Sequence, residues 1–296
     1  MALLFRDDDA GVGGTLAFGT FVNQGNGINW VGLYGDGPRP FRFQRSRIEL
    51  PLVDGDRSAT TLGVGDVHWT QLGPNRGRLT GSDGTETVAV DLEFTDLYPP
   101  TSWHEGDAGA LADLGAGHVE MSCTVAGIVT VAGTEITVQG LGHRDQSWGP
   151  RTLDIVRNHR WVAGTCGPAL SFSLEVLHVA GAPVQTFGFV VRDGERSSIA
   201  HLEILVTLDH DGLTPRSYQA NVTLASGEEL TMASETIHAV LYNHRGPLTA
   251  VDALATVRCG ELTGTGDLNI ITNPLAGTAK PTVLLGGSVD DGLVWL

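Results

Sequence analysis

Short runs in which apolar and polar positions alternate recur along most of the chain. They fall at 15–22, 28–34, 41–50, 87–94, 119–131, 170–178, 185–191, 204–209, 218–224, 238–241 and 250–258, and are rich in Val, Thr, Ile, Leu and Phe. These residues fit a pleated, half-buried surface, so the pattern predicts strands. Between the runs stand Asp54-Gly55, Asp83-Gly84, Ala132-Gly133, Asp193-Gly194, Asp211-Gly212 and Ser226-Gly227. Pairs of this kind take the positive φ angles of tight hairpins. No long amphipathic helix is predicted; 111–115 and 197–202 read as short helical turns. Many strands joined by tight turns predict antiparallel sheets that close or stack, because closure removes exposed edges. The length, 296 residues, suits two barrel-like halves better than one small barrel. A boundary near 155 predicts domains 1–155 and 156–296, and 283–296 reads as a last strand carrying Trp295.

Composition removes several classes of function. The chain holds 34 acids against 18 bases, a net charge of −16. That balance opposes a grip on nucleic acid or on anionic membrane surfaces. No apolar run of 18 or more residues predicts a spanning helix, so membrane insertion is not expected. The start, MALLFRDDDAGVGG, is acidic after a very short apolar patch and does not read as a secretory signal; a cytoplasmic location is expected. The single lysine, Lys280, sits in a plain tail sequence, which argues against Schiff-base chemistry. Cys123, Cys166 and Cys259 are far apart with no CxxC pair, and read as buried thiols. There is no P-loop, no G-x-S-x-G elbow and no HExxH. His143-Arg144-Asp145 formally spells H-x-D, but the arginine between the two ligands argues against a cation. No cofactor and no metal are expected.

The stretch GLGHRDQSWGPR at 140–151 stands out against this plain β pattern. It gathers His143, Arg144, Asp145, Trp148 and Arg151 among glycines and a proline. On a regular strand His143 and Asp145 share a face, which allows a His–Asp proton-transfer unit. Arg144 points the other way and either stabilises charge in a site or braces neighbouring strands with its planar fork. A carboxyl such as Asp145 could accept a proton in a dry pocket, and Trp148 could wall it. Two readings stay open here: the floor of a site, or a cross-brace. A second cluster, 98–105, brings Trp103 and His104 into a Pro-rich loop. His159-Arg160-Trp161 and His68-Trp69 repeat the His/Trp pairing.

The 140–151 stretch resembles the G-x-G-x-R-D-H-S-W-G-x-R signature of AttH-like proteins, relatives of the carotenoid 1,2-hydratases. Gly117-His118-Val119-Glu120 is similar to that family's lead-in, and Gly264-Thr265-Gly266-Asp267-Leu268 to its late Gly-rich strand, here without the usual Glu-Tyr. Gln146 stands where the signature has its second histidine. The resemblance implies two lipocalin-like antiparallel β-barrels or half-barrels packed side by side, with a site for an apolar molecule. It also implies hydration, dehydration, cyclisation or isomerisation of terpenoid or polyketide-like compounds without a redox cofactor. On this reading Asp145 and His143 are the acid/base unit, Glu120 an alternative acid and Arg144 a charge stabiliser. Trp103, His104, Trp148 and Trp161 line the site, and the partner is a small hydrophobic molecule. The alternative is a carrier of the same fold that binds such a molecule unchanged.

Overall fold

The computed structural model describes residues 1–52, 60–84, 87–102, 115–150, 155–243, 249–272 and 292–296. Strands dominate them. The first ten are β1 (Ala2–Asp7), β2 (Val12–Phe21), β3 (Asn26–Gly35), β4 (Phe41–Pro51), β5 (Thr61–Val64), β6 (Val67–Gly73), β7 (Arg76–Ser82), β8 (Val88–Asp96), β9 (Gly117–Val131) and β10 (Thr134–Trp148). Eight more follow: β11 (Val156–Thr165), β12 (Ser171–Val179), β13 (Gln185–Arg192), β14 (Glu195–Leu208), β15 (Pro215–Leu224), β16 (Glu229–Asn243), β17 (Thr249–Cys259) and β18 (Leu262–Thr272). The last is β19 (Gly292–Trp295). One eleven-stranded sheet runs β19-β4-β3-β2-β1-β10-β9-β8-β7-β6-β5, and β11 to β18 close into an eight-stranded barrel.

The turns take the geometry that their residues favour. Ala132 and Gly133 have φ of 47° and 79°, and Asp193 and Gly194 have 50° and 81°. Two consecutive positive φ angles twist a two-residue hairpin in the hand of its strands. The run at 197–202, expected as a helical turn, is instead part of β14. Hydrogen bonding to β13 and β15 on both sides outweighs its weak local preference. The turn expected at 111–115 lies, apart from Gly115, outside the described residues.

Contacts divide the chain into two compact units. One comprises Met1–Pro99, Cys123–Arg144 and Val289–Leu296, and the other Pro100–Ser122 and Asp145–Ser288. The change from sheet to barrel falls at Val156, beside the boundary read at 155, but the units interleave in sequence. Segment 100–122 joins the barrel's unit, and the last strand pairs antiparallel with β4 in the first. There the Trp295 ring stands edge-on to Phe41 at 6.3 Å, with the Arg39 guanidinium 3.6 Å above it.

The first unit packs Leu3, Phe5, Leu16, Leu33, Leu79, Leu92 and Phe94 into one core. Each such fully buried side chain contributes about 1.5–3 kcal/mol. In the second unit the register assigns the two faces of the barrel wall. Leu202 and Val222 lie opposite one another and are buried, whereas the next pair, Glu203 and Asn221, turns towards solvent. Followed around the strands, the interior face carries Val162, Leu174, Val190, Ala253 and Leu268, all at most 1% exposed. Side chains therefore fill the barrel, as expected for eight strands. Of the cysteines, Cys123 is buried, while Cys166 and Cys259 are only half-buried. Burial pushes the Cys166 thiol up to about 11.

Candidate functional site

The 140–151 knot is divided between the two units. His143 and Arg144 close the first unit's share of β10, and Asp145 opens the second's. In the first unit Arg144 donates from Nε to Asp96 Oδ1 at 2.8 Å and from Nη2 to Asp96 Oδ2 at 2.7 Å. Its guanidinium also lies 5.0 Å from the Phe94 ring. Both partners are buried, so the fork is fully engaged in joining β8 to β10. Of the two readings open for Arg144, charge stabiliser and brace, this geometry favours the brace. His143 is buried in this unit, and Asp145 is half-buried in the other.

In the second unit, polar groups gather on the outward face of the barrel wall, beneath residues of the unit's own segments 117–122 and 145–148. Directly opposite residues on neighbouring strands project to the same face. Trp161 on β11 stands opposite Glu175 on β12 and Asn269 on β18, and Asn269 stands opposite Asp252 on β17. One row of the wall thus reads Glu175, Trp161, Asn269, Asp252. The neighbouring row reads Ser173, Ala163, Asp267, Leu254.

Glu120 descends onto these rows from β9. Its backbone is fixed by two hydrogen bonds with Thr101: Glu120 N–H donates at 2.8 Å and Thr101 N–H at 3.2 Å. Glu120 Oε1 accepts from Trp161 Nε1 at 3.1 Å and lies 2.8 Å from His118 Nε2. His118 Nδ1 lies 2.8 Å from Ser147 Oγ, and Trp161 Nε1 also donates to Ser173 Oγ at 2.9 Å. The carboxyl itself is fully buried. Beside this chain, His159 Nε2 meets Glu175 Oε1 at 2.9 Å.

Asp252 and Asp267 form the far end. They are diagonal neighbours on this face with their side chains within reach of each other, and Asn269 Nδ2 donates to Asp252 Oδ1 at 3.3 Å. Burial pushes both carboxyls above the ordinary range, Asp267 well above it, where the neighbouring Asp252 charge adds to the effect. The Asp145 charge acts on Asp252 in the same direction. Buried atoms on this face without a hydrogen-bond partner include Glu175 Oε2, His159 Nδ1, Asp267 Oδ1 and Thr265 Oγ1.

Several sequence expectations take other places. Trp148 does not wall a closed pocket: it is 50% exposed. Its indole lies on Gly117, so close that a Cβ there would meet Cζ2 at 2.3 Å. Trp103, His104 and Arg151 lie outside the described residues. Glu120, Asp145 and Trp161 fall on or beside the polar face. Asp252, Asp267, Asn269, Ser173 and Glu175 went unread as site residues. Among the described residues no group of three or more His, Cys, Asp or Glu is placed to hold a metal ion. No helix among them is long and apolar enough to cross a membrane. One cavity of about 540 Å³ is lined by Phe43, Arg45, Arg47 and Leu293. Another of about 410 Å³ is lined by Leu170, Arg192, Leu230 and Cys259. Neither is lined by the knot or by the polar rows.

A strand-built chain with one closed eight-stranded barrel and one eleven-stranded sheet shares the fold of solved AttH-like, lipocalin-fold proteins. A candidate AttH protein of Nitrosomonas europaea superposes with a TM-score of 0.67 at 12% identity, covering 91% of this chain and 90% of its own. Kievitone hydratase of Nectria haematococca gives 0.58 at 14%, covering 88% and 83%. CghA gives 0.63 at 13%, covering 92% and 87%, and has also been solved with Sch210972. The chain belongs to the family described as "Domain of unknown function (DUF7064)", whose model matches residues 1–274. No curated protein matches the sequence.

Proposed function

We propose that the protein is an acid/base enzyme that adds or removes water, or rearranges bonds, in a small uncharged and largely apolar molecule. The observation that supports this most is the state of the polar face. Glu175 Oε2, His159 Nδ1 and Asp267 Oδ1 are buried without partners. An unsatisfied buried polar atom costs roughly 1–3 kcal/mol, so three on one face weaken the fold unless they serve a ligand. The groups that carry them, an imidazole and two carboxyls, are of the kind that moves protons. Kievitone hydratase, named for a hydration, shares the fold. Alternating apolar neighbours such as Ala163, Leu254 and Phe189 on the same face suit the carbon skeleton of such a molecule.

In this reading Trp161 and Ser173 orient the ligand, while His118–Glu120 and His159–Glu175 handle its protons. Ser147 sets the His118 ring from the other side. Glu120→Gln keeps the shape and an acceptor for Trp161 but removes the carboxyl. Extracts offered to wild type should yield a compound changed by one water, or an isomer, as read by mass spectrometry. The folded Glu120→Gln variant should form it at least about 100-fold more slowly, the scale of general acid–base catalysis. A molecule that copurifies and stays unchanged through long incubation with wild type would favour a carrier instead.

A further inference from the structure

Two carboxyl groups cannot hydrogen-bond to each other unless one carries a proton, because an ionised carboxylate only accepts. Asp252 on β17 and Asp267 on β18 are diagonal neighbours on one buried face, close enough for their carboxyls to share such a bond. They are 7% and 3% exposed. Asp252 also accepts from an amide, that of Asn269, and not from a cation. Across the same face stands His159–Glu175, separated from the pair by Trp161 and Asn269. Asp267 Oδ1 is buried without a hydrogen-bond partner, on the same face as the equally unpartnered Glu175 Oε2 and His159 Nδ1.

We propose that Asp252 and Asp267 hold one proton between them and that Asp267 delivers it to the ligand, opposite His159–Glu175. This rests on the acid/base reading above. In the hydration direction the Asp267 O–H bond breaks and its proton forms a C–H bond with the electron pair of the ligand's double bond. That electron pair leaves the neighbouring carbon positive, and water closes a C–O bond onto it. The proton that water loses passes to His159–Glu175. Its return to the aspartate pair restores the starting state, and the net change is one added water. Dehydration is the same path reversed. Asp252 does not touch the ligand here; it is a positioning residue that keeps the proton on its neighbour. Two adjacent negative charges after transfer draw the proton back, as in other carboxyl pairs that ionise in separate steps.

Infrared spectroscopy of the whole protein at neutral pH tests the first half. A protonated-carboxyl C=O band is expected in wild type and should disappear in Asp267→Asn, whose amide still donates to Asp252. Absence of the band in wild type would overturn the proposal. The second half is read on the product-forming assay. Asp267→Asn should slow formation at least about 100-fold. Asp252→Asn should retain more activity and shift the pH profile, which a merely structural role would not do. Normal turnover by folded Asp267→Asn would overturn delivery by this residue even with the band present. A band in wild type with no turnover of any offered compound would instead overturn the acid/base reading on which delivery depends, leaving proton sharing intact.

Discussion

The two units bury charge in opposite ways. In the first, the Arg144 guanidinium meets both oxygens of Asp96 in a bidentate pair and lies near the Phe94 ring. In the second, Glu175 meets an imidazole, Asp252 an amide, and Asp267 backbone N–H groups and its neighbour Asp252. Buried charge with excellent geometry is compatible with a purely structural role, because the Coulomb and hydrogen-bond terms offset desolvation. Carboxyls buried without a cation lack that compensation. One of them keeps a proton, and the energy stored in the arrangement becomes available to a ligand. Within a single twelve-residue sequence knot, therefore, the half that looks most ionic is the brace. The half that borders the carboxyl face is the one beside the proposed chemistry.

Breaking the first arrangement should have the largest effect on stability. Arg144→Met leaves Asp96 buried and unpaired, and should cost about 3–5 kcal/mol in urea unfolding. Adding Asp96→Leu should recover most of it, whereas a brace of no consequence would show no loss in the single variant.

A smaller effect with a distinctive sign is expected from Asp267. Its folded-state value is raised by burial, so the stability it contributes is complete below the unfolded carboxylate value and is lost as pH rises through the folded one. Thermal melts of wild type should therefore weaken from the carboxylate range upward. Asp267→Asn cannot titrate, so its melting temperature should gain on wild type as pH rises. Parallel melting curves at all pH values would contradict a raised Asp267.

Gly117→Ala sharpens the comparison at the edge of the face. The new methyl displaces the Trp148 indole, which is half exposed and free to swing. About 1 kcal/mol of destabilisation and a red-shifted tryptophan emission should follow; an unchanged spectrum would mean that the ring is not seated there. The smallest effect belongs to Arg192→Ala, which breaks an exposed ion pair with Glu228. No measurable loss is expected, and a clear loss in denaturant titration would show that exposed pairs matter more here than the buried ones suggest.

Much of the fold was legible because alternation and Asp-Gly or Ala-Gly turns act locally. The strands at 41–50, 185–191 and 250–258 appear nearly as read. Strands β5 to β7 were missed: arginines at 76 and 78 and frequent glycines hide their alternation, and pairing with neighbours supplies what propensity does not. The site was read only in part. Glu120 and Trp161 carried visible cues in a Gly-His-Val-Glu lead-in and a His-x-Trp pair. Arg144 drew attention through density of charge, yet its partner Asp96 lies 48 positions away and no local pattern announces it. Glu175, Asp252 and Asp267 did leave a signal. Each is an acid inside a largely apolar run, SFSLEVLHV, TAVDALATV or GTGDLNII, next to apolar residues that point to the other face. A strand buried on both faces hides every side chain, so an acid there is buried whichever way it points.

The central claim is that the second unit keeps its buried polar face for proton transfer at the expense of stability. The most direct measurement is product formation by a His159→Leu/Glu175→Met variant, followed together with its melting temperature. Removing both partners leaves no orphaned charge, so the account predicts a folded protein at least as stable as wild type that forms no product. A variant that forms product at the wild-type rate, or one that fails to fold because the pair was holding the barrel together, would contradict it.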